Sequence, residues 1–200
     1  MRLQPCLWLA ALASVALAII APASADDAPA SADDAASVSG APRLSLPLAC
    51  TIGETCFIQF HVDLDEGPDI LDYACGRLTY DGHHGIDIRV PDLPTMRAGV
   101  GVLAAAEGMI RAIRDGEPDI SVDLRGRESL EGRDAGNAVV VDHGGGWVTQ
   151  YSHLMNGSIV VKPGDQVQRG QLLGKIGLSG RACQSTHCES AWWPVTGSTR

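Results

Sequence analysis

An imidazole and a carboxylate stand four residues apart in Tyr80-Asp81-Gly82-His83-His84-Gly85-Ile86-Asp87-Ile88. His83 and Asp87 carry nitrogen and oxygen donors of the kind that zinc takes in a compact site. In a straight strand the two would lie about 13 Å apart, at roughly 3.3 Å of rise per residue, too far to share one ion. A helix would make them neighbours, but Gly82 and Gly85 disfavour one here. The chain is therefore expected to fold back at Gly85, with His83 in a turn and Asp87 entering a strand. His84 is a rival donor, yet the four-residue relation to Asp87 belongs to His83. Taken alone, these residues read ordinarily as a surface turn.

Two further histidines strengthen the metal reading. His153 sits in Tyr151-Ser152-His153-Leu154 and His187 in Ser185-Thr186-His187-Cys188-Glu189. Between them runs Lys162-Pro163-Gly164-Asp165-Gln166-Val167-Gln168-Arg169-Gly170-Gln171-Leu172-Leu173-Gly174, rich in turn residues. Before them stands Val139-Val140-Val141-Asp142-His143-Gly144-Gly145-Gly146-Trp147. With Gly82-His83-His84-Gly85-Ile86-Asp87, these four elements in this order resemble the lysostaphin/LytM-type zinc metalloendopeptidases, which cut peptide cross-links of bacterial cell walls. The resemblance covers roughly residues 80–189.

That resemblance implies a ligand set and a cofactor. His83 and Asp87 match the family's first metal element, and His153 matches a histidine that acts beside the bound substrate. The family's closing His-x-His-Phe-Glu element aligns through Glu189, which makes His187 the third zinc ligand. Ser185 then stands where a second catalytic histidine belongs. An open three-ligand zinc site lowers the pKa of a bound water and polarises the scissile carbonyl. A positioned base or acid contributes about 10² to 10⁴ in rate, and a serine hydroxyl cannot take a proton near neutral pH. Zinc binding is thus expected to survive the change, with turnover at risk. His143, at a strand end before a glycine turn, matches a family histidine that is not a ligand and is expected to hold hydrogen bonds.

The elements that must position these side chains read as strands. Phe57 to Asp63 alternates apolar and polar residues, placing His61 and Asp63 together on what is expected to be a solvated face. Val102 to Ala106 and Met109 to Ile113 read as short strands around Glu107-Gly108. Asn137 to His143 and Trp147 to His153 read as a hairpin about the three glycines. Lys162-Pro163-Gly164-Asp165 reads as a tight turn. Residues 115–136 are polar and glycine-rich, expected either as a loop walling a cleft or as a disordered insertion. The expected fold is all-β, an antiparallel sheet core of the lysostaphin/LytM type with this loop flanking a groove. After Glu189 the tail carries Trp192-Trp193-Pro194 and no alternation, so it reads as a truncated or frame-shifted end, or as a diverged edge.

The ends and the charge bound the function. Arg2, the apolar run from Leu7 to Ile20 and Ala23-Ser24-Ala25 read as a secretory signal over residues 1–25. That run is shorter than the roughly 20 residues a membrane span needs, so no stable membrane insertion is expected once the signal is cleaved. Residues 26–45, rich in Asp, Ala, Ser and Pro, read as a disordered linker, and residues 46–200 as one metallopeptidase-like domain. The formal net charge is −9, and −10 without Arg2. Such a balance offers no footprint for nucleic acid and repels anionic polymers, so substrate contacts must be local. An exported chain, periplasmic or extracellular, favours disulfides among Cys50, Cys56, Cys75, Cys183 and Cys188 over thiolate ligands beside His187. The leading expectation is a zinc endopeptidase acting on peptidoglycan peptides. The alternatives are an impaired relative that binds peptidoglycan or regulates another wall hydrolase through a protein partner, and the product of a damaged gene.

Overall fold

The structure, a computed structural model, describes residues 41–182 and the backbone of residues 188–195. Nine strands lie within that range, most of them built on apolar residues and bounded by glycine turns. They are Phe57–Phe60 (β1), Ile86–Val90 (β2), Gly101–Leu103 (β3), Gly108–Arg114 (β4), Asn137–Gly144 (β5), Trp147–Leu154 (β6), Gln166–Val167 (β7), Leu172–Lys175 (β8) and Cys188–Val195 (β9). Seven form one sheet in the order β1-β2-β9-β6-β5-β4-β7, every neighbour antiparallel. β3 and β8 pair as a second, two-stranded sheet. The core lies between them, where Ile88, Val90, Ile110, Val139 and Val141 of the large sheet meet Val102, Leu173 and Ile176. The all-β expectation holds.

Several local readings change. The strand expected over Phe57 to Asp63 stops at Phe60, because His61 and Asp63 are drawn into the loop that follows. The segments on either side of Glu107-Gly108 both form strands, but they enter different sheets rather than one hairpin. A short helix, Leu93–Ala98 (α1), begins where Asp92 accepts the N–H of Thr95 at 2.8 Å and Pro94 occupies the first turn, a favoured start. Residues 188–195, without alternation in sequence, form β9 and bridge β2 to β6, with Asp87 opposite Ala191 and Tyr151 opposite Trp192. Residues 188–195 therefore lie inside the large sheet, between β2 and β6.

The central hairpin is as expected. β5 and β6 pair from Asn137 opposite Leu154 to Gly144 opposite Trp147. His143 keeps the structural role expected of it: Nδ1 donates to the carbonyl of Glu107 at 2.6 Å, and Nε2 lies 2.8 Å from the Thr149 hydroxyl. That hydroxyl is bonded to the Tyr151 hydroxyl, which accepts the N–H of Ala105 at 2.7 Å. The turn at Lys162 also forms, closed by the Asp165 N–H on the Lys162 carbonyl at 3.1 Å. Cys50 and Cys56 are bridged, and Cys75 is disulfide-bonded as well. The readings of residues 1–25, of the linker up to residue 40, and of Cys183, Ser185 and His187 lie outside the described residues.

Candidate metal centre

The donor pair is assembled by a turn. Gly82, at φ 73°, takes the left-handed conformation that reverses the chain, a role sequence had given to Gly85. Asp87 then lies in β2, opposite Phe60 of β1, and the two side chains meet, His83 Nε2 to Asp87 Oδ1 at 3.2 Å. Both are buried, at 1% and 3% exposure, whereas His84 faces solvent. The ring of Tyr80 stacks on His83 at 4.3 Å between centroids, and Phe60 stands edge-on to both rings.

The chemistry of this pair fits a cation. His83 Nδ1 is 2.7 Å from the carbonyl of His61, and a carbonyl only accepts, so Nδ1 carries the proton. In the neutral ring Nε2 is then a lone pair facing a carboxylate oxygen, and two buried acceptors in contact need a proton or a metal ion between them. A backbone carbonyl on the far nitrogen is also how metal-bound histidines are commonly oriented. Among the described residues no group of three His, Cys, Asp or Glu side chains gathers at one point.

The loop carrying His83 is organised by two carboxylates, Asp63 and Asp72, the first of which was expected on a solvated face. Asp63 is buried, not on a solvated face. Its Oδ1 accepts the N–H groups of Leu71 and Asp65 at 3.0 and 3.3 Å, and its Oδ2 that of Gly82 at 3.0 Å. Its own N–H donates to the His83 carbonyl at 2.7 Å. Asp72 takes the N–H groups of Leu78, Gly76 and Ala74 in the same manner. A long loop leaves many backbone donors needing acceptors, and these carboxylates supply them. The Leu71 N–H, then those of Gly82 and Asp65, hold the Asp63 carboxyl below the usual carboxylate range, and the Leu78 N–H leads the same effect at Asp72.

His153 is fixed from two sides at the end of β6. Its N–H donates to the Ala135 carbonyl at 2.9 Å and its Nδ1 to the Ser179 carbonyl at 2.8 Å, which leaves Nε2 as the acceptor. The residue adopts φ 61°, a conformation that non-glycine residues hold only when their surroundings impose it. Burial is the main cause that keeps the imidazole pKa below its ordinary 6.5, against opposing pulls from the Ser179 carbonyl and the charge of Asp87. The Asp87 charge is therefore felt at His153.

Sequence reasoning missed the residues that hold this histidine. Asn137 is fully buried and bridges three partners: Oδ1 accepts the Glu117 N–H at 2.7 Å, and Nδ2 donates to the carbonyls of Glu117 and Leu154 at 2.8 and 3.0 Å. The Ser179 hydroxyl accepts the Asn137 N–H at 2.9 Å and donates to the Leu154 carbonyl at 2.7 Å. Gly136 and Gly180 let these segments touch: a Cβ on the first would strike the Ser179 backbone, and on the second the carbonyl of Asp134. The only signal available was a glycine at each turn. Residues 115–136 hold a defined conformation, containing a helical turn at Val122–Arg125 (α2) and a 3-10 turn at Arg127–Leu130. Their centre is the buried Glu117, which pairs with Arg125 and Arg133 at 3.1 Å each.

Comparison with known proteins places these features in context. The model of peptidase family M23 matches residues 81–192. The cell division protein DipM of Caulobacter vibrioides is 32% identical over 112 residues, 56% of this chain and 15% of that protein. The peptidoglycan DD-endopeptidase ShyA of Vibrio cholerae is 49% identical over 47 residues, 24% of this chain and 10% of that protein. The chain thus matches only a small part of either relative's length. The solved structure of the antimicrobial peptidase lysostaphin from Staphylococcus simulans is similar at 21% identity, with 59% of this chain and 39% of that one covered and a TM-score of 0.41; the family match stands without it.

Proposed function

Because the chain belongs to peptidase family M23, we propose that it is an exported zinc-dependent endopeptidase that hydrolyses peptide bonds in peptidoglycan cross-links. His83, Asp87 and His187 would hold the zinc and His153 would act beside the substrate. The observation that carries this reading is the buried contact of His83 Nε2 with Asp87 Oδ1, with Nδ1 already committed to a backbone carbonyl. Zinc at that point supplies a Lewis acid and a water of lowered pKa.

The chain's own groups set the rest. His153 presents Nε2 as a neutral acceptor, suited to orienting a water and taking its proton. Oxyanion stabilisation by the same nitrogen would need the imidazolium, which burial disfavours. The wall built on Glu117 and the loop pinned by Asp63 flank the two functional histidines and restrict how a peptide lies across them.

A second reading, a relative that binds wall peptide or regulates another hydrolase, draws on Ser185 in place of the second histidine and on the small share of each relative that is matched. Incubation with cross-linked muropeptides separates the two. The peptidase reading predicts new peptide termini, abolished by a chelator and restored by zinc. Uncleaved but retained muropeptide at full zinc occupancy would support the second reading and end the first.

A further inference from the structure

We propose that Arg114 is an anchor for a carboxylate on the peptide substrate, placed within about three residues of the bond acted on at His153. The proposal deepens the peptidase reading and rests on its assignment of a peptide substrate. Arg114 ends β4 and pairs with Ala138 of β5, while the adjacent Asn137 pairs with Leu154, the residue after His153. Two strand spacings, roughly 10 Å, therefore separate the backbones at 114 and 153.

The guanidinium is fixed to the same segment that holds the histidine. Arg114 Nε donates to the Gly136 carbonyl at 2.6 Å, and the preceding carbonyl, that of Ala135, accepts the His153 N–H. Arg114's positive charge is felt at the His153 imidazole, where it opposes protonation. Its Nη1 and Nη2 carry no hydrogen bond or ion pair to the described residues, and the side chain is half-buried. Arg125 and Arg133 differ, since both are engaged by Glu117. With Nε anchored, the terminal nitrogens form a planar pair of donors matched to the two oxygens of a carboxylate. A chain of net charge −9 repels anions at long range, so a carboxylate bound here needs such a local cation.

The test is equilibrium binding of an uncross-linked wall tetrapeptide, and of the same peptide with every carboxylate converted to a carboxamide, to the zinc-loaded full chain. Wild type should bind the acid roughly 10-fold tighter than the amide. Arg114→Gln should erase that ratio, and Arg114→Lys, which keeps the charge but not the fork, should retain only part of it. A merely structural arginine would weaken both peptides alike and leave the ratio intact. The proposal is overturned by equal affinities in wild type, by no binding of either peptide, or by a wild-type ratio in folded Arg114→Gln; should that variant not fold, an undiminished ratio in Arg114→Lys overturns it. Cleavage of cross-linked peptide without the preference would sink the anchor alone, and preference without cleavage would sink the peptidase reading alone.

Discussion

At the scale of single residues, the site depends on where each imidazole places its proton. In His83 and His153 a backbone carbonyl takes Nδ1–H and leaves Nε2 as the working atom. Since burial holds the His153 pKa below 6.5, its basic form is present above that lowered value. The pH profile of kcat/KM should contain a limb below 6.5; a profile with no limb below 6.5 would remove His153 from this role. Asn137 should be among the least replaceable residues. Asn137→Ala strands the Glu117 N–H and two carbonyls inside the protein, at a cost of about 3 kcal/mol, read as a lowered urea midpoint. His83 and Asp87 were legible in the sequence because donor type and spacing are written in it. Asn137 and Ser179 were not, because their partners lie tens of residues away and a buried amide has the same letter as an exposed one.

At the scale of elements, strands carry Asp87 and His153 while loops carry His83 and position all three, and side-chain oxygens take the place of a ladder within those loops. Asp63 joins Asp65, Leu71 and Gly82 to the turn at His83. Asp63→Asn keeps the shape but loses the charge that attracts these donors. It should weaken zinc binding without removing it, as second-layer changes do, by roughly 10- to 100-fold, in a competition titration with a chromogenic chelator. Gly136→Ala meets both a φ of 57° and the Ser179 backbone, so it should destabilise the fold by about 2 kcal/mol and lower activity through His153. The β5–β6 hairpin was legible because alternation and glycines agree there. The strand at 188–195 was not, since it depends on tertiary partners that local pattern does not encode; the reversal at Gly82 and the helix after Asp92 went unread although a glycine, an Asp cap and Pro94 mark them locally. The loop at 115–136 read as polar because its charges were counted without the pairing that Glu117 gives them.

At the scale of the whole molecule, many small loops are tied to one sheet. Acidic side chains serve this architecture more than solubility. The lowered pKa values of Asp63, Asp72 and Asp92 mean that their stabilisation is complete above the ordinary value of 3.8 and is lost as pH falls through the lower folded values. Thermal stability should therefore begin to weaken as pH falls below 6.5, where the unfolded chain protonates His153 more readily than the folded one does, and weaken further below pH 3.8. A double C50A/C56A variant should lose about 2 kcal/mol, the chain-entropy expectation for so small a loop. The disulfide change should spare the proposed zinc site, which lies on other segments.

The most direct measurement is the zinc content of the purified protein beside that of its H83A, D87A and H187A variants. One zinc per wild-type chain, lost or strongly weakened in each variant, is the predicted result. A folded wild-type chain that binds no zinc under saturating metal, or an H187A variant that binds it as well as wild type, would contradict the proposed centre.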